Sequence, residues 1–172
     1  MNEDAVRAGA HPGAVIVATN AALTGVFVAA TVAAAVMFDQ PWKALSVAVD
    51  LACFGVGVCA FLWGYWNAVQ RSRTDSIGVA QLYFLLGGVA PLAVRVRMNV
   101  LLAVQTLVGI GGALSRGSTD GRPGSTLAFG ILVPMLGLGL NGLWGAFHGM
   151  FPPRRGPGGE GVPPADGANG QD

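Results

Sequence analysis

Residues 64–97 read GYWNAVQRSRTDSIGVAQLYFLLGGVAPLAVRVR. Arg71 and Arg73 stand at one end of an uncharged segment, Ser76–Val94, and Arg95 and Arg97 stand at the other. Whether that segment crosses a bilayer, lies on one, or belongs to a soluble core decides the architecture of the chain.

The rest of the chain limits the choice. Of its 172 residues, 52% are hydrophobic and 11% charged, where a soluble domain carries about 25% charged residues. The charges stand outside four long runs: Ala14–Phe38, Leu51–Gln70, Met98–Ser115 and Pro123–Pro153. Uncharged apolar runs of about 18 residues or more are long enough to cross hydrocarbon as helices. The sequence therefore predicts an all-α polytopic membrane protein with spans at about 14–38, 42–70, 96–115 and 125–149. A polar arm, 1–13, precedes the membrane domain, 14–151. The tail, 152–172, is rich in glycine, proline and polar residues and is expected to be disordered. The first run is longer than a secretory h-region and follows the acidic MNEDAVR, so it is read as a span and not as a cleaved signal, despite small residues at Ala33 and Ala35.

Basic residues set the orientation. With four spans, Arg7, Arg71, Arg73, Arg95, Arg97, Arg154 and Arg155 fall on one side, and Lys43, Arg116 and Arg122 on the other. That excess places both termini in the cytoplasm, with the chain in the plasma membrane. A fifth span over Ile77–Val94 would put the two arginine pairs on opposite sides and bury Gln81, Gly87, Gly88 and Pro91. The preferred reading is an interfacial cytoplasmic helix from about Ser76 to Leu86 between the second and third spans. Thr74 or Asp75 would cap it. Ile77, Leu82, Leu85 and Leu86 would form its apolar side, with Gln81 and Tyr83 at the polar boundary. Asp75 is also placed to pair with Arg71 or Arg73.

Packing signals lie inside the spans. Ala18/Ala22 and Ala29/Ala33 are small pairs four apart, and Asn20, Thr24 and Thr31 can hydrogen-bond across a helix contact. Pro41 suits the first turn of the second helix, and Trp42, Trp63, Tyr65 and Trp66 suit interfacial belts. Pro134 is expected to kink the fourth helix. Gly137, Asn141, Gly145 and Gly149 form a ridge at spacings of four, read as a contact surface for a partner helix.

Candidates for chemistry are few. Asp50 is an acid within a hydrophobic segment. It is read as shallow, favoured by the helix N-terminus and paired with Lys43 or Arg122; the competing reading is a functional contact with an ion or partner. The arginines Arg71, Arg73, Arg95 and Arg97 are read first as topology determinants and second as a site for anionic lipid headgroups. His11 and His148 share a face in this topology, but no further ligand accompanies them, so no haem or metal site is assigned. Cys53 and Cys59 lie about 9 Å apart along one helix and on different faces, and cannot bridge. There is no phosphate loop, catalytic triad or CxxC. No catalytic residue, cofactor or metal is expected, and the net charge of +1 speaks against nucleic-acid binding.

RSRTDSIGVAQLYFL, APLAVRVR, LLAVQTLVG and LAFGILVPMLGLGLNGLWGAFHGMFPPR resemble a group of small actinobacterial four-helix integral membrane proteins. The likeness covers residues 60–155 and is most specific at Pro134, the glycine ridge and HGMFPPR. Within that group, the chain is similar to the small accessory subunits of mycobacterial Mce lipid-import complexes. The resemblance implies a non-catalytic subunit, in contact with membrane lipids and an ABC-type permease, in uptake of fatty acids or other lipids. It supplies no site residues. The alternative from the residues alone is a small oligomeric transporter or channel that uses Asp50.

Overall fold

The computed structural model describes residues 13–115, 118–119, 122–123 and 125–154, with backbone alone at the two short strands. The chain is an all-α polytopic membrane protein. Helix α1 is Ala14–Met37, α2 Gln40–Arg71, α3 Val79–Phe84, α4 Leu92–Ser115 and α5 Pro134–His148. A two-residue ladder, β1 (Ser118–Thr119) against β2 (Arg122–Pro123), closes the turn after α4. A 3-10 helix, Thr126–Leu132, leads into α5. Four of these units are long and apolar enough to cross a membrane: α1, α2, α4, and the 3-10 helix joined to α5.

Local chemistry explains the breaks. Phe38 takes a left-handed conformation (φ 48°), and its N–H closes α1 on the Ala34 carbonyl. Asp39 is extended and Pro41 enters the first turn of α2, where its missing N–H costs nothing. Ser125 caps the 3-10 helix by accepting from Leu127 N. The expected disturbance at Pro134 is a change of helix type: 3-10 geometry runs up to the proline and α geometry follows it. Seven residues of 3-10 helix is long for that form.

The inward face of α2 is made of small and polar side chains, as lipid solvation permits. Along α2 the buried residues are Lys43, Ser46, Asp50, Cys53, Gly57, Ala60, Gly64 and Ala68. Their steps of three and four are the heptad spacing of a packed seam. Leu51, Leu62, Trp63 and Trp66 point out from the same helix. The last span is the central one: 50% of its apolar window is buried, against 22% in each of the others. A side-chain carbon added at Gly57 would lie 2.5 Å from Leu136 N, and one at Gly64 2.8 Å from Leu143 N, so α2 and α5 touch backbone to backbone. The alanine pairs expected to pack α1 do not do so. Ala18, Ala22 and Ala29 are exposed, because Asn20, Thr24, Phe27, Thr31 and Ala34 occupy the inward face.

The segment between the arginine pairs holds no helix long enough to cross. Its helix has six residues, about 9 Å of rise. It is packed against the bundle. Leu82, Tyr83 and Leu85 are buried, and the Tyr83 ring stacks on Phe61 with centroids 4.6 Å apart. Phe61 is ten residues before Arg71, about 15 Å down α2. Tyr83 therefore belongs to the packed interior. Leu85, Gly87 and Gly88 (φ 54°, 70° and 81°) turn the chain back toward α4. The cap also differs from expectation: Gly78 occupies the N-cap, and its N–H donates to Gln81 Oε1. The start of the tail is held as well. Ser76 N donates to Pro152 O, Arg154 N to Thr74 O, and Met150 N to Val89 O. The ordered domain thus extends past 151 to Arg154; residues 155–172 lie outside the described residues.

Candidate functional site

Arg71 binds the ends of two spans together. Its Nε and Nη2 donate to Asp75 Oδ2 at 3.1 and 2.9 Å. Nη1 donates to Ala146 O at 2.9 Å, and Nη2 to Gly149 O at 3.2 Å. A cation at the C-terminus of α5 meets carbonyls that lack helical partners and the negative end of the helix dipole. The expected Asp75 pairing is therefore present, with Arg71. Arg73 is exposed, Arg95 half-buried and Arg97 exposed, all at the same end of the bundle as Arg71.

The glycine ridge is occupied within the chain and is not available to a partner. Gly137 sits against Gln105 and Leu102, Gly145 against Leu82 and Leu85, and Gly149 against Val89 and Phe151. Asn141 is fully buried; its Nδ2 donates to Tyr83 O at 3.0 Å and to Asn99 Oδ1 at 3.3 Å. Asn99 in turn donates to Phe84 O at 2.9 Å. The ridge is a real packing surface, but the short α3 hairpin and α4 fill it. Spacing identified the surface; it carried no information on what would cover it.

Halfway along the bundle lies a second polar layer. Gln105 Nε2 donates to Thr24 Oγ1 at 2.7 Å and to Asn20 Oδ1 at 3.0 Å, while its Oε1 accepts from Gly137 N at 3.0 Å. Asn20 and Thr24 thus bond across a helix contact as their sequence positions suggested, and Gln105 supplies the partner.

Asp50 is enclosed by the bundle. It is ten residues into α2, about 15 Å from Gln40, and its side chain is 1% exposed. Neither carboxyl oxygen accepts a hydrogen bond among the described residues, so the expected Lys43 pairing is absent. The Ser46 hydroxyl, one turn away on the same face, is also without a partner. Lys43 is buried and places its Nζ 4.4 Å from the Phe38 ring centroid. The Arg122 side chain is outside the described residues. An acid enclosed in a span is costly unless compensated, which makes this site chemically conspicuous.

His148 packs against Trp144, ring centroids 5.6 Å apart; His11 lies outside the described residues. No group of three His, Cys, Asp or Glu side chains among the described residues could hold a metal. Cys53 is buried and Cys59 exposed, both free. Trp144, to which no sequence signal pointed, is 2% exposed, and its indole N–H has no acceptor among the described residues. Compared with known protein families, characterised proteins and solved structures, the chain matches none.

Proposed function

We propose that the chain is a non-catalytic accessory subunit of a larger membrane complex, acting by helix contact with an integral membrane partner. The observation that carries this is a pair of uncovered seams of small residues. Ala22, Gly25 and Ala29 on α1 and Ala48, Ala52, Gly55 and Cys59 on α2 are exposed at steps of three and four. A carbon added at Gly25 or Gly55 meets nothing within 4 Å. Small residues at this spacing let another helix approach closely, and here none of the chain's own helices does.

The resemblance across residues 60–155 points to a partner of the ABC-permease kind and to a lipid importer of the Mce type. Arg71, Arg73, Arg95, Arg97 and Arg154 gather at the end holding the start of α1, which favours cytoplasmic termini in the plasma membrane. Tagged protein extracted in mild detergent is expected to retain a membrane partner at fixed stoichiometry, and Gly55→Leu to release it without unfolding the subunit. Recovery as a lone monomer in every detergent tried overturns the reading.

The enclosed Asp50 favours a second reading, an oligomeric transporter with this carboxyl on the path. Reconstituted vesicles would then show a flux that Asp50→Asn abolishes; absence of flux in the wild type ends that reading.

A further inference from the structure

Two cavities meet at the arginine-rich end, and both are lined by Val94 and Arg97. The larger, about 460 Å³, is a groove lined by Ala14, Val17, Ala18 and Ala21 of α1 and by Val100 and Leu101 of α4. This volume falls in the range of about 300–1,000 Å³ typical of small-molecule sites. The smaller, about 270 Å³, adds Trp144, His148 and Met150. The start of α1 is seated on the Trp144 indole and the His148 ring: a carbon placed on Gly13 would strike both.

Three features at that junction suit an anion. The first turn of α1 has no side-chain cap, and the N–H groups of Ala14 and Val15 have no acceptor among the described residues; such a terminus favours negative charge. The Trp144 indole N–H is buried beside it without a partner among the described residues. The Arg97 guanidinium belongs to an exposed residue lining both cavities. Apart from Arg97, the side chains lining the larger groove are apolar. Ala14, Val17, Ala18 and Ala21 on one side and Val94, Val100 and Leu101 on the other offer an apolar surface along which an acyl chain can lie.

We propose that this is a binding site for an anionic membrane lipid, with its phosphate at the start of α1 among Arg97, Trp144 and His148 and an acyl chain along the α1–α4 groove. The site stands on this geometry alone and does not depend on which complex the chain joins.

The test uses the full chain with Trp42, Trp63 and Trp66 changed to Phe, so that Trp144 alone reports. Phosphatidylglycerol with brominated acyl chains should quench Trp144 at mole fractions where brominated phosphatidylcholine does not. Arg97→Gln should raise the half-quenching fraction about tenfold, the equivalent of about 1.4 kcal/mol, while Arg73→Gln, at the same end but outside the groove, should leave it unchanged. Native mass spectrometry of the wild type and Arg97→Gln gives a second readout of retained lipid, independent of fluorescence. Equal quenching by the two lipids, or an equal loss with Arg73→Gln, overturns the site in favour of diffuse attraction. Quenching that appears only after residues 1–12 are removed also overturns it, assigning the groove to that segment.

Discussion

Gln105 uses every polar hydrogen and its oxygen inside the bundle, joining α1, α4 and α5 through one amide. Gln105→Leu removes that centre and leaves the Asn20 and Thr24 oxygens facing an alkyl group. Buried polar groups without partners cost about 1–3 kcal/mol, and intramembrane hydrogen bonds average somewhat less than this. A drop of about 1–2 kcal/mol in resistance to denaturing detergent is therefore expected, with Gln105→Glu failing to restore the wild-type value. An unchanged melting profile for Gln105→Leu would show that the layer is dispensable. At this scale the sequence was partly legible. A polar residue inside an apolar run must find a partner, so Asn20, Thr24 and Asn141 announced themselves. Asp50 broke the rule: its position suggested a neighbour in Lys43, yet the helix turns both side chains inward and brings no donor to the carboxyl.

At the scale of elements, the contact between α2 and α5 is set by glycines at which the two backbones meet. Gly57→Leu would drive a branched side chain into Leu136 N and the Met135 carbonyl. Backbone cannot yield as a side-chain tip can, so the expected cost is about 3 kcal/mol, the upper end for overpacking. Gly55→Leu, half a turn away and facing open space, should leave the subunit's own stability within about 0.5 kcal/mol. Melting both variants in one detergent distinguishes an internal seam from an external one; equal destabilisation would mean the faces are assigned wrongly. Glycine and alanine spacing shows that a helix packs closely but not on what. Hence the ridge on α5 was found and its occupant mistaken, and the alanine pairs of α1 were credited with an inward role that Phe27 and the polar residues hold. The α2 seam is hidden in the sequence because it contains Lys43, Ser46 and Asp50. In water a polar stripe faces out, whereas in hydrocarbon it faces in.

For the whole molecule, the number of crossings followed from run length and the distribution of arginine, two signals that act over tens of residues. The depth of the segment between the arginine pairs was not available from either. It depends on Tyr83 finding Phe61 and on Asn141 and Asn99 binding the carbonyls at the tip of α3, contacts between residues far apart in sequence. With Cys53 and Cys59 replaced by alanine, single cysteines at Arg73 and Leu92 should react with an impermeant maleimide from the same side of sealed vesicles. A cysteine at Asp39 should react only from the other. A short hairpin held by protein on two sides keeps both arginine pairs at one surface, whatever the hydrophobicity between them. Labelling of Arg73→Cys and Leu92→Cys from opposite sides would mean that the segment crosses, and would undo both the charge asymmetry and the lipid site that rests on Arg97 lying beside the start of α1.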